Sequence, residues 1–401
     1  MSFARILGRL SLSACRCVMV LSALFLLLFA NFAFSLPSFA ATPEAALSWE
    51  PSRTLVFVVG VLKWQDKSYL QFTTKARRDA QLVEFFKSKG VPADKIVYLC
   101  DTEATINKVY DEFDELLEKS KPDDTLIFYY CGHGWLDDNN EGFYANYDVR
   151  TNDNAISTRK IAAKMKNKFQ GSTALFFADC CTSGSIGNSL KKQPGGYKWG
   201  MATSVTADGG STSNWTFSQA LLDALNGHRF VDTNLDGIVS FSDLQKYVTL
   251  EMKRIDNQTA GANSGNGFSD ANYALAKVMN PNEPIPRLVD VKWGGKWWKA
   301  KVLETKDKQA KVRWVQIGYD TPDNDEWQPF SNIKEANGEP FNGMSAATTR
   351  NDFKVGETIE ILWKNDYYKA KILKAEGGRF FIHYIEDDDS WDEWVDLSRM
   401  K

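Results

Sequence analysis

Thr125-Leu-Ile-Phe-Tyr-Tyr-Cys131-Gly132-His133-Gly134 and Thr173-Ala-Leu-Phe-Phe-Ala-Asp179-Cys180-Cys181-Thr182-Ser183-Gly184 decide how this chain is read. Each is a short apolar run that stops abruptly at a group able to do acyl-transfer chemistry. Two neighbouring parallel strands ending this way would set a thiol beside an imidazole. A free cysteine, with a pKa of about 8.5, is only slightly ionised near neutrality, and an adjacent imidazole corrects this by taking the proton or stabilising the thiolate. Of the three histidines in the chain, His228 falls in a polar turn and His383 alternates with aromatics in a later strand. His133, flanked by glycines that let a substrate carbonyl approach the backbone, is the candidate base.

Outward from these runs, strand and helix signals alternate. TLVFVVGVL from Thr54, KIVYL, TLIFYY, TALFFAD, a strand near Lys198 to Thr206 and YALAKV read as strands. Helical periodicity separates them, for example at Ile106, Val109, Phe113, Leu116 and Leu117. Short apolar strands between amphipathic helices predict an α/β domain over residues 50–280, a mostly parallel sheet with helices on both faces. Ligands of such sheets sit at the carboxyl ends of strands, where His133 and Cys181 both fall.

Strand-Gly-His-Gly followed by strand-Asp-x-Cys-x-Ser-Gly resembles the caspase and metacaspase group of cysteine peptidases, and the resemblance covers the α/β domain by motif order. It implies Cys181 as nucleophile, His133 as base, and the backbone N–H groups of Gly134 and Cys181 as the oxyanion hole. Cys180, on the opposite side of the strand, is then core. Many metacaspases carry histidine where this chain has Thr182. The resemblance also places Asp179, Asp79 and Cys131 in the pocket for the residue preceding the scissile bond, and two carboxylates there select Arg or Lys. Asp79 also reads as a helix-start carboxylate interacting with the dipole. Arg77 and Arg78 complicate the assignment, because true caspases use arginines in this pocket and cut after Asp. Two rival readings stay open: a catalytically silent member acting as a binding module, and a legumain-like peptidase cutting after Asn, since Cys181-Thr-Ser-Gly-Ser185 is close to that nucleophile segment.

Asp232, Asn234, Asp236, Ser240 and Asp243 fit the oxygen positions of a calcium loop with Gly237 at its turn. The final ligand is Asp where Glu is usual, and a metal-free helix-to-helix turn fits the same residues. The chemistry itself requires no cofactor. The separate acidic site common in metacaspases is not carried over: Asp148 would belong to it, but Ser157-Thr158 stand where an acidic pair is usual.

Pro281 to Pro286 breaks the α/β pattern and opens a tryptophan-rich region with an internal repeat. Trp293-Gly-Gly-Lys-Trp-Trp-Lys-Ala-Lys-Val-Leu303 matches Trp363-Lys-Asn-Asp-Tyr-Tyr-Lys-Ala-Lys-Ile-Leu373. Two small all-β Tudor/SH3-like barrels, 286–335 and 353–401, are expected, with a linker from Glu335 to Asp352. The second resembles the chromo-barrel and Tudor-knot group, whose aromatics can cage a methylated lysine. Tyr384 and Trp391 match cage positions, while the aromatic expected near Asp387 is absent; packing is the plainer reading of most tryptophans here. Partners implied are polypeptide substrates and a protein or cationic ligand of the barrels.

A net charge of −3 over 401 residues argues against bulk nucleic-acid binding. Arg5, Arg9 and Arg16 precede an apolar stretch from Val18, and Ser38-Phe39-Ala40 suits a signal peptidase, so residues 1–40 read as a signal peptide, or as an uncleaved anchor, of an exported protein. Beyond them Cys100, Cys131, Cys180 and Cys181 are too few for a disulfide framework. Ile186 to Lys198, polar and rich in Gly and Pro, is expected to be an exposed loop, with self-cleavage after Lys191 or Lys192.

Overall fold

In the computed structural model, the residues described are 46–401 apart from 284, 317, 336–337, 344–352, 364–365, 377–378, 397–398 and 401. The expected signal or anchor, residues 1–40, lies outside them. In chain order the α/β region contains β1 (Thr54–Gly60), α1 (Arg78–Ser88), β2 (Ile96–Cys100), α2 (Ile106–Glu118), β3 (Thr125–Cys131), β4 (Gly134–Leu136), β5 (Gly142–Tyr144), β6 (Ile156–Ser157), α3 (Thr158–Lys168) and β7 (Thr173–Asp179). It continues with α4 (Ser185–Lys192), β8 (Lys198–Thr203), α5 (Thr216–Leu225), β9 (Ile238–Ser240), α6 (Phe241–Glu251), β10 (Gly261–Gly265) and β11 (Ala274–Lys277).

The main sheet has the order β10-β8-β7-β3-β1-β2, all parallel except β10. Strand alternation divides the core in two. Val56, Val58, Ile127, Tyr129, Leu175 and Phe177 face α1, α5 and α6 on one side. Leu55, Phe57, Leu126, Phe128, Ala174 and Phe176 face α2, α3 and α4 on the other. Because both faces are covered, β1 and β3 are buried along their whole length, which is why their sequences run apolar instead of alternating. YALAKV does not join this sheet; β11 pairs with β9 in a separate two-stranded ribbon.

Of the segment Ile186 to Lys198 expected as an exposed loop, the part through Lys192 is instead helical, in α4, and Gln193 to Tyr197 form the loop before β8. Ile186 and Leu190, four residues apart, are buried against the β7–β8 face, so burial outweighs the poor helix propensity of its glycine and serines. Lys191 and Lys192 are exposed in its last turn. A peptidase reads an extended chain, and a helix offers none, so the self-cleavage expectation loses its structural basis.

Two antiparallel sheets follow. One comprises β12 (Arg287–Trp293), β13 (Lys296–Lys306), β14 (Gln309–Trp314), β15 (Glu326–Pro329) and β16 (Ile333–Glu335) around a core of Val289, Val291, Ala300, Val302, Val312 and Ile333. The other comprises β17 (Thr358–Trp363), β18 (Asp366–Glu376), β19 (Arg379–Tyr384) and β20 (Glu393–Asp396) around Ile359, Ile361, Ala370, Ile372 and Ile382. Their hairpins share a register, Val289 facing Ala300 and Ile359 facing Ala370, and each long strand bulges just after Val302 or Ile372.

Candidate active site

The parallel register sets Gly60, Cys131 and Asp179 side by side at the carboxyl ends of β1, β3 and β7. His133 and Cys181 each follow two residues beyond that row. A Cβ on Gly134 would lie 2.4 Å from the carbonyl oxygen of Cys181 and 2.9 Å from the Cys180 sulfur; only glycine lets these two backbones, the expected oxyanion donors, abut. Cys180 is buried in the α2–α4 face, as expected of a core residue. The chain turns sharply after Cys181 because Thr182 takes a left-handed conformation (φ 54°), which costs a β-branched residue about 1–2 kcal/mol. The turn is held by Thr182 N–H donating to Gly209 O at 2.7 Å.

The imidazole of His133 is half-buried in a ring of aromatics: Trp64 at 4.5 Å, Phe72 at 4.6 Å and Tyr69 at 5.8 Å between centroids. Its Nε2 lies 2.9 Å from the carbonyl oxygen of Leu70. A carbonyl can only accept, so Nε2 carries the hydrogen and Nδ1 keeps its lone pair. Burial holds the imidazole pKa below its usual value, with the Leu70 bond opposing. Cys181 is half-buried, and its Sγ accepts from the Ser211 N–H at 3.2 Å. Neither Leu70 nor Ser211 was legible in the sequence, because each contributes a main-chain atom, which any residue type carries.

Asp79 and Asp179 do flank Cys131, and all three are buried. Their states differ. Asp79 packs over Gly60 and is bound by Arg77 through Nε at 3.1 Å and Nη2 at 2.7 Å, and by Tyr98 Oη at 2.9 Å. Arg77 also reaches Asp101 at 2.5 Å and the Gly60 carbonyl at 2.9 Å. Among the described residues Asp179 pairs with no cation: it accepts from Ser218 Oγ at 2.6 Å and Ser218 N–H at 3.1 Å. Burial pushes its pKa up to about 6 against those two bonds. The sequence pointed to Arg77 only by its place two residues before Asp79.

The other candidates divide. Asp232 accepts from the N–H groups of Gly237 (2.8 Å) and Asp236, and Asn234 donates to Asp236 at 2.8 Å. Ser240 and Asp243, however, form the capping box of α6, and the second oxygen of Asp243 takes Thr233. Among the described residues, ligand atoms gather within 4.8 Å elsewhere, at His383, Asp389 and Asp392, where His383 Nδ1 and Asp392 already share a 2.7 Å hydrogen bond. Tyr384 and Trp391 are brought together by Trp363, whose ring is 6.1 and 6.4 Å from theirs. The Arg399 guanidinium stands 5.2 Å over Trp363 and binds Glu393, which also accepts from Tyr384 Oη at 2.6 Å. Asp148 is structural, accepting the first N–H of α2.

Two regions of the chain match known protein families. Residues 70–264 match the caspase domain family, and residues 353–401 match the Tudor-knot family, described as the RNA binding activity-knot of a chromodomain. No curated protein matches the chain. Among solved structures, caspase-1 from Spodoptera frugiperda is similar at 15% identity and a TM-score of 0.35, covering 54% of this chain and 88% of that one. Protein GSU0716 from Geobacter sulfurreducens is similar at 13% identity and a TM-score of 0.40, covering 57% and 100%. With its mostly parallel sheet, its helices on both faces and the antiparallel sheets that follow, the chain carries a domain of the caspase family of cysteine peptidases over residues 70–264 and a Tudor-knot domain over residues 353–401.

Proposed function

We propose that the chain is an active endopeptidase using a Cys181–His133 dyad. The observation that carries this reading is the bond from His133 to Leu70, which leaves Nδ1 as the lone-pair nitrogen of an imidazole held at the strand end next to that of Cys181. A general base must be neutral, oriented and within reach of its proton. In the proposed reaction Nδ1 takes the thiol proton as Sγ attacks the scissile carbonyl. The tetrahedral oxyanion is held by the N–H groups of Gly134 and Cys181. The imidazolium then protonates the leaving amine, and water hydrolyses the thioester.

We assign specificity to Arg or Lys on the strength of Asp179, whose carboxylate accepts from Ser218 and, among the described residues, forms no ion pair. Asp79 contributes less than a paired-acid pocket would supply, because Arg77 already balances it. A peptide panel varying only the residue before the scissile bond tests this, with the Cys181→Ala protein as control. Cleavage confined to Arg and Lys supports the assignment; cleavage after Asp or Asn replaces it by a caspase- or legumain-like one. The second reading, a silent caspase-like binding protein, draws on the Cys181 sulfur bonding to Ser211 in place of His133. A thiol-directed activity probe that fails to label Cys181 would favour it.

Export is proposed on the arginine-led apolar stretch before Ala40; the N-terminal sequence of the protein recovered from its host decides it. Among the described residues no helix is long and apolar enough to cross a membrane. The β-modules are proposed to bind a protein partner or cationic group, supported by the Trp363, Tyr384 and Trp391 cluster that already holds a guanidinium. Fluorescence titration with cationic peptides, compared with Trp391→Ala, tests that role.

A further inference from the structure

We propose that the β12–β16 module is a working part of the active site, with Asp320 as a positioning residue for His133. The inference rests on the dyad reading above. Residues 65–77, which join β1 to α1, form a strap over the imidazole. The strap is pinned at its middle, beside Leu70, by Phe72 N–H donating to Leu62 O and Trp64 N–H to Gln71 Oε1, both at 2.9 Å. Within it, Leu70 supplies the carbonyl that orients His133, and Phe72 packs against both His133 and Trp215, the latter at 5.3 Å.

The far end of the strap is fixed by charges. Arg77 is bound within the α/β domain by Asp79 and Asp101. Arg78, the next residue, turns to the module: its guanidinium is paired with Asp320, with side-chain exposures of 6% and 12%. Beside that pair Gly318 backs onto the strap, a Cβ there lying 3.6 Å from the Cβ of Lys75. A second buried link, Lys301 Nζ to Glu251 Oε2 at 2.9 Å, ties β13 to the end of α6. Without the module Arg78 would keep Gln81 and Glu251 would keep Arg254, but each would lose the oppositely charged partner that the module supplies, and a poorly compensated buried charge is destabilising.

The contact is polar and incompletely filled. A cavity of about 310 Å³ remains between Thr216, Gln219 and Asp223 of α5 and Lys301, Trp314 and Asp320 of the module. Directed charge pairs therefore do more than close packing to set where the module sits. The Arg78–Asp320 pair and the Gly318–Lys75 contact add to the Arg77 anchor, so loss of Asp320 loosens the far end of the strap without releasing it and lets the Leu70 carbonyl shift relative to Nε2. Misplacing a catalytic group by about 1 Å costs up to roughly a hundredfold in rate.

The test uses the full chain with Asp320→Ala, Asp320→Glu and the swapped pair Arg78→Asp/Asp320→Arg. For Asp320→Ala we expect kcat on an Arg peptide to fall about ten- to a hundredfold with little change in KM, and hydrogen exchange to accelerate over residues 65–77. Asp320→Glu or the swapped pair should restore both. Unchanged kcat and unchanged exchange over 65–77 would overturn the proposal, as would a rise in kcat, which would make the module a restraint. Acceleration spread over the whole sheet would also overturn it, since that reports general destabilisation. If no form hydrolyses peptide, the dyad reading fails separately. Selective exchange over 65–77, with a shifted pH midpoint for Cys181 alkylation, would still support the positioning role.

Discussion

Leu70 and His133, 63 residues apart in sequence, meet in a 2.9 Å hydrogen bond between a carbonyl oxygen and the imidazole Nε2. The strap that delivers the carbonyl is steadied by Phe72, whose ring lies against His133 and Trp215. Phe72→Ala should cost roughly 2 kcal/mol of stability, below the full range for a buried aromatic because the ring is only half-buried. It should also lower kcat by about tenfold as the carbonyl loses its support. Phe72→Tyr should keep most of both. Urea unfolding and steady-state kinetics on the same preparations separate the two effects.

Cys181→Ala and His133→Ala are each expected to abolish peptide hydrolysis while leaving circular dichroism and the melting temperature close to wild type, because both side chains are half-buried. Cys180→Ala removes a small buried group from the α2–α4 face, so it should cost about 1 kcal/mol and keep substantial turnover. An essential Cys180 with a dispensable Cys181 would reverse the nucleophile assignment.

Asp179 gives the site a pH signature. Its pKa stands at about 6 in the fold against 3.8 for the unperturbed group. Such a carboxyl adds stability that is fully present below pH 3.8 and is lost as pH rises through 6. The loss amounts to about 3 kcal/mol. Asp179→Asn keeps an acceptor for Ser218 and never ionises, so it should be more stable than wild type at pH 8 and similar at pH 4. Turnover of Arg and Lys peptides should rise with pH through about 6 in the wild type and be mostly lost in the variant. Thermal melts and kcat/KM across pH measure both.

Arg77 and Asp79 form a buried pair whose members can be removed in turn. Arg77→Ala leaves Asp79 without its cation and should destabilise by about 3 kcal/mol. It should also raise kcat/KM for Arg over neutral peptides, because a substrate guanidinium then meets two uncompensated carboxylates. Asp79→Asn should change selectivity less than Asp179→Asn. Equal losses would mean that Arg77 leaves the pocket when substrate binds.

For the 232–243 loop to take Ca²⁺ with all five proposed oxygens, Asp243 must give up its cap on α6. A weak site is therefore expected, in the range of about 0.1–1 mM. Isothermal titration should detect it in the wild type and lose it in Asp236→Asn. Asp243→Ala should cost about 1 kcal/mol in the absence of calcium, from the lost cap alone.

The residues proposed to do the chemistry were legible in the sequence because they sit where strong local patterns end. Buried parallel strands must be apolar throughout, so Gly-His-Gly after Tyr130 and Asp-Cys-Cys after Ala178 stand out as polar stops, and adjacency of their strands carries His133 toward Cys181. α4 was not legible, because Gly, Asn and Ser in Ile186 to Lys192 favour turns and only burial of Ile186 and Leu190 makes the helix pay. The calcium-loop spacing likewise gave no sign that Ser240 and Asp243 would cap a helix, since the same oxygen atoms suit a cation or an N–H. The module contact was hidden for another reason: nothing near Arg78 hints at a partner as distant as Asp320. Local sequence picked out the atoms proposed for the chemistry, while long-range packing decided how each is partnered: Asp79 is matched by Arg77, Nε2 by Leu70, and Asp179, among the described residues, by no cation. Those pairings arise from burial, which forces each charge and each N–H to find whatever partner the fold brings within reach.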